Sequence, residues 1–240
     1  MSTTDELFAL MSKREDLNPD LVPYLDDTGP FGLCLKHPLV FSIVHHDQHN
    51  AYVNAQYGQK KEQIRKARAD KNWAHYVWLH ERPYRINAFM NVSWKLDGPA
   101  YWTLFGKVWV DTENMHQDRD SWRDLLTADP EGRELMSSED VRSVFTLTPE
   151  EGGLAPMTKV YRGYCHDDGL DGFSWTLDKA RARWFATRLR ESDDPPARIA
   201  SGLVAAEHVI AYITDRDEQE IVCLPEHVTE LKIEELGVQK

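Results

Sequence analysis

Between residues 160 and 221 lie the side chains whose types and spacing could do chemistry. Arg162 closes the segment Val160-Tyr161-Arg162-Gly163. Ser174 stands in Gly172-Phe173-Ser174-Trp175-Thr176, and two carboxylates in Glu218-Gln219-Glu220-Ile221-Val222. A guanidinium is a planar, permanently charged fork suited to phosphate, which an ammonium matches less well. Hydroxyls can bond an arginine or a sugar. A fixed carboxylate stabilises positive charge that develops in a transition state, an effect worth roughly several kcal/mol. Taken singly, each segment has a plainer reading. Arg162 alone is a strand-end surface residue, Ser174 a turn leading into a helix, and Glu218 with Glu220 a solvated acidic loop.

In order and spacing, the three segments together resemble the Arg…Ser-x-Ser/Thr…Glu-x-Glu signature of the NAD-dependent ADP-ribosyltransferase family, in the clade that includes many bacterial toxins. The resemblance covers about residues 157–233. Its middle motif departs from the common Ser-Thr-Ser by Trp175 and Thr176. It implies that NAD⁺ is a substrate, with Arg162 on the diphosphate and Gly163 letting backbone approach the nicotinamide carboxamide. Ser174 would bond the arginine or the nicotinamide ribose, Thr176 would complete that set, and Trp175 and Phe185 would wall the ring. Glu220 would bind the ribose 2′-hydroxyl and stabilise the oxocarbenium-like state. Glu218 would face the acceptor as orienter or base, and in the family a glutamate there often accompanies protein arginine acceptors.

The implied activity is mono-ADP-ribosyl transfer from NAD⁺ to a macromolecular acceptor, a protein side chain or a nucleic acid, with release of nicotinamide. The implied setting is a bacterial or phage effector, such as a toxin of a toxin–antitoxin or phage-defence locus, with an antitoxin protein as partner. Two alternatives stand beside it: a glycohydrolase that gives ADP-ribose to water, and a non-catalytic binding module on a degenerate form of the fold. The simultaneous presence of Arg162, Ser174 and Glu220 speaks against the last.

The elements that must position these residues read as an α+β fold, with a mostly helical part at 1–150 followed by a split-sheet, ADP-ribosyltransferase-like core at 151–240. Four prolines between residues 18 and 40 predict an irregular lead-in. One long helix is expected from Gln48 to His80, weakest at Gly58. The β-branched and aromatic run from Trp102 to Val110 predicts a strand. Helices follow near 120–127 and 138–146, the second capped by Ser138. Pro149–Pro156 reads as the boundary. Beyond it come a strand ending at Gly163, a helix from Leu177 to Leu189 capped by Thr176, and strands at Leu203–Ile213, Glu220–Leu224 and Val228–Ile233.

Composition bounds the partners. A net charge of −12 repels phosphate on average and argues against a general polyanion binder. The basic segment is Lys60, Lys61, Arg65, Lys66, Arg68 and Lys71, a solvated helix face or else a guide for a nucleic-acid acceptor. Trp94, Trp102, Trp109 and Trp122 read as core, with a base-stacking platform the alternative. Three dispersed cysteines without a Cys-x-x-Cys pair fit a reducing compartment, and Cys165 reads as a buried small residue. The acidic start is unlike a signal peptide, and the apolar run Pro38–Val44 is too short to span a bilayer, so a cytoplasmic protein without membrane contact is expected. His45, His46, Asp47 and His49, with His75 and His80, invite a metal but lack a His-Glu-x-x-His pattern with a third ligand, and no metal is expected there.

Overall fold

The chain divides between Lys95 and Leu96 into two compact units, Met1–Lys95 and Leu96–Lys240. This is a computed structural model, and it describes residues 13–112, 119–145, 156–188, 190, 193–215 and 218–237. Most of the boundary expected at Pro149–Pro156 lies outside the described residues.

In the first unit, strands β1 (Leu25–Asp26), β2 (Cys34–His37) and β3 (Val40–Ser42) form a three-stranded antiparallel sheet. The proline-rich stretch was expected to be irregular, yet its intervening apolar residues pair. Leu35 and Val40 are buried with Leu21, Val53 and Tyr57. The single helix expected from Gln48 to His80 is two, α1 (Asn50–Ala69) and α2 (Trp73–Trp78). Lys71 takes a left-handed φ of 53°, and the Asn72 side chain accepts from His75 N at the start of α2. An Asn cap competes well with helix continuation, which is why the chain breaks there. Helix α3 (Arg85–Ser93) completes the unit.

The second unit opens with α4 (Gly98–Asp111), where a strand was expected from Trp102 to Val110. The Asp97 side chain accepts from Ala100 N at 2.9 Å, and Pro99 occupies the first turn, a strong helix start. Trp102, Phe105 and Trp109 are buried and spaced three and four apart. Their composition is strand-like but their period is helical, and the period decides. Helix α5 (Arg119–Leu126) follows. In place of the helix expected at 138–146, the described residues form a 3₁₀ turn at Val141–Val144, capped by Asp140 rather than Ser138, after an earlier one at Arg133–Met136.

A six-stranded antiparallel sheet then forms from β4 (Met157–Tyr164), β5 (Ser174–Thr176), β6 (Arg198–Ala205), β7 (Val209–Ile213), β8 (Glu220–Cys223) and β9 (Thr229–Glu235). Their order is β7-β8-β5-β4-β6-β9. Strand β4 runs through Gly163, and the expected strand Leu203–Ile213 is two strands joined by the turn Ala206–His208. Helix α6 (Lys179–Thr187) packs against β4. One face of the sheet buries Val160, Trp175, Ala200, Tyr212, Ile221 and Cys223, while Ile199 on the other meets Ala182 and Ala186 of α6. Helices with antiparallel sheets are the α+β class that the pattern predicts. No helix among the described residues is long and apolar enough to cross a membrane.

Candidate active site

The strand order sets β4, β5 and β8 side by side, so Arg162, Ser174 and Glu220 stand on adjacent strands. Their register then fixes which way each points. Ser174 lies opposite Val222, Thr176 opposite Glu220, and Tyr161 opposite Thr176. Opposed residues share a face and successive residues alternate. Ser174, Thr176 and Glu220 therefore share the face of Tyr161 and Gly163, against which α6 packs. Trp175, Ile221 and the start of the Arg162 side chain belong to the other.

Glu220 is 8% exposed. The indole N–H of Trp109 donates to its Oε1 at 3.2 Å. Burying a carboxylate is costly unless donors meet it, and Trp109 supplies one from α4. Nothing local in sequence pairs these residues, which are 111 positions apart.

Arg162 leaves the core face and turns toward the loop before β5. Its Nε donates to the Gly169 carbonyl at 2.5 Å, and its Nη1 donates to the carbonyl of Ser174, not to its hydroxyl. Burial pushes the guanidinium pKa down to about 10, against the pull of the Glu220 charge, so the group stays cationic at neutral pH. Nη2 lies against Gly172, where a β-carbon would sit 1.9 Å from it. Arg119 of α5 holds the same loop from outside, donating to the Asp168 carbonyl at 2.9 Å and pairing with Asp171 at 3.2 Å. Gly172 and Trp109 are contributors that the sequence motifs did not single out.

Gly163 is the partner of α6. A β-carbon on it would lie 1.7 Å from the Ala182 carbonyl oxygen, so the close approach it permits is made by the helix backbone. Thr176 is buried, and its hydroxyl donates to the Glu218 carbonyl at 2.5 Å while accepting from Asp178 N at 3.1 Å. Leu177 N donates to the Gln219 carbonyl at 3.1 Å. These bonds clamp the turn between Glu218 and Glu220, in which Gln219 takes a left-handed φ of 45°. The cap of α6 is Asp178, whose side chain accepts from Ala180 N at 2.7 Å, and not Thr176.

The aromatic candidates separate. Trp175 is 2% exposed within the core cluster, on the face opposite Ser174. It packs the core and does not line the surface that Ser174 and Glu220 share. Phe185 is half-buried on α6, edge-on to Trp184 at 5.0 Å. The Arg188 guanidinium lies 4.8 Å from the Trp184 ring centre and 4.7 Å from that of Phe185. The basic residues of α1 are largely engaged within their own unit. Lys60 pairs with Glu81, Lys61 with Asp20 and Arg65 with Glu62, while Arg68 lies over the Tyr76 ring. The histidines at 45, 46 and 49 belong to no three-ligand cluster among the described residues.

Comparisons with family models, curated proteins and solved structures return no match to this chain.

Proposed function

We propose that the chain transfers ADP-ribose from NAD⁺ to a macromolecular acceptor and releases nicotinamide. The observation that carries this reading is the adjacency of β4, β5 and β8, with Ser174 and a buried Glu220 on one shared face and the Arg162 cation at the edge of β5. In the reaction, the bond between the ribose C1′ and the nicotinamide nitrogen breaks. Its electron pair leaves with nicotinamide, and positive charge develops on the ribose. The Glu220 carboxylate, held by Trp109, opposes that charge and holds the 2′-hydroxyl. The acceptor nucleophile bonds C1′ and gives its proton to Glu218, whose backbone Thr176 fixes. Arg162 both holds the 169–174 loop and supplies charge for the diphosphate.

A specific observation favours a nucleic acid over a protein acceptor. Trp184 is 46% exposed on α6, with the guanidinium of Arg181 5.5 Å and that of Arg188 4.8 Å from its ring centre. An exposed ring flanked by cations stacks bases and draws phosphate. The test is incubation with labelled NAD⁺ and a cell lysate, followed by parallel protease and nuclease digestion. Label released by nuclease alone identifies the nucleic acid, and label released by protease alone identifies protein. Free ADP-ribose with no macromolecular label would make the chain a glycohydrolase, and unconsumed NAD⁺ would end the enzymatic reading.

A further inference from the structure

Cys165, His166 and Asp194 bring a thiol, an imidazole and a carboxylate to within 4.8 Å of one another, the one such three-residue group among the described residues. Two backbone segments deliver them. Cys165 and His166 follow β4 directly, and Asp194 lies just ahead of β6, its antiparallel neighbour. Tyr164 pairs with Arg198 at the end of that ladder, so both segments leave the sheet from one place. Each is tied down independently of the three side chains. The His166 carbonyl accepts from Gly169 N at 2.9 Å, while Arg190 donates to the carbonyls of Asp194 at 3.2 Å and Pro195 at 3.0 Å. His166 Nε2 lies 4.0 Å from Asp194 Oδ1. Cys165 is half-buried and the His166 side chain is 62% exposed, so the cluster opens to water on one side.

We propose that Cys165, His166 and Asp194 bind one zinc(II) ion, with water as a fourth ligand. Sulfur, nitrogen and oxygen donors at about 2.0–2.3 Å are the set that zinc accepts, whereas calcium and magnesium require oxygen alone. A thiolate and a carboxylate neutralise the ion's two charges, so the half-buried site carries no net charge. The ion displaces the Cys165 thiol proton to solvent as the sulfur bond forms. Bound zinc would staple the end of β4 to the lead-in of β6, at the base of the loop that Arg162 holds from its other side. This inference is independent of the proposed transferase activity.

Cobalt(II), which reports its ligands spectroscopically, tests the site in the full chain under a non-thiol reductant. The expected result is one equivalent bound, a thiolate-to-cobalt band in the near ultraviolet, visible bands of four-coordinate geometry, and displacement by zinc. Cys165→Ser should abolish the thiolate band, and zinc should raise the melting temperature of the parent but not of this variant. His166→Ala, a change at an exposed side chain that spares the fold, should weaken zinc by at least about tenfold, and so should Asp194→Ala. Cobalt bound without a thiolate band, or zinc affinity unaltered in Cys165→Ser or His166→Ala, would overturn the proposal.

Discussion

Trp109 on α4 donates its indole N–H to the Glu220 carboxylate on β8 at 3.2 Å, joining a helix to the strand that carries the central acid. Trp109→Phe keeps an apolar ring but removes the donor. A hydrogen bond to a charged group contributes about 1.5–3 kcal/mol, and part of that loss should appear in the rate. Nicotinamide release measured across NAD⁺ concentrations should show kcat lowered by about tenfold or more with KM little changed. An unchanged kcat would show that the indole does not position Glu220.

Glu220→Gln should abolish transfer while leaving NAD⁺ affinity within about tenfold, because in the proposed reaction the carboxylate acts mainly on charge developed in the transition state. Labelled transfer and calorimetry on the same preparation check both halves. Parental activity in this variant would remove the central residue from the reaction.

Gly172→Ala should reproduce the loss of Arg162. The added methyl would lie 1.9 Å from Nη2 and 2.1 Å from Cζ, displacing the guanidinium from the Gly169 and Ser174 carbonyls. Arg162→Lys keeps charge but cannot make both bonds, and should cost about 2 kcal/mol of stability while weakening NAD⁺ binding. Melting and calorimetry should place both variants together. Parental affinity in Arg162→Lys would separate this residue from the dinucleotide.

Glu218→Ala should depress transfer far more than hydrolysis of NAD⁺ by water, since only transfer requires an oriented acceptor. Equal losses, measured side by side, would deny Glu218 that role.

Trp184→Ala and Arg188→Glu should lower transfer to a nucleic-acid acceptor, and added salt should depress parental transfer more steeply than that of Arg188→Glu. Hydrolysis should remain at the parental rate. Salt-insensitive transfer that survives both changes would point to a protein acceptor.

What the sequence made legible followed from periodicity and from local punctuation. The strands around Arg162, Glu220 and Val228 were readable because β-branched runs sat between turn residues. Helix α4 was not, because Trp102, Phe105, Val108 and Trp109 carry strand-forming composition on a helical period. The break at Lys71 was hidden by the strong helix formers that precede it, and the Asn72 cap marks it. At the site, residue types could name Arg162, Ser174 and Glu220, but not their geometry. That Trp175 packs the core while Thr176 faces the acidic turn depends on register, which one residue of slip would reverse. Trp109 reads from sequence as a core residue, but its bond to Glu220 could not be found there, since that partner is fixed only by tertiary packing.

The left-handed backbone at Gln219 interrupts the alternation that would otherwise bind Glu218 to the orientation of Glu220. Glu218 and Glu220 stand two positions apart yet answer to different anchors, the Glu218 backbone carbonyl to a hydroxyl on β5 and the Glu220 carboxylate to an indole on α4. On the proposed reaction, substitution at 218 should alter what receives the sugar without disturbing how the sugar is released. That reading leaves an adjustable position and a fixed one on either side of a single residue, Gln219, whose left-handed backbone uncouples them.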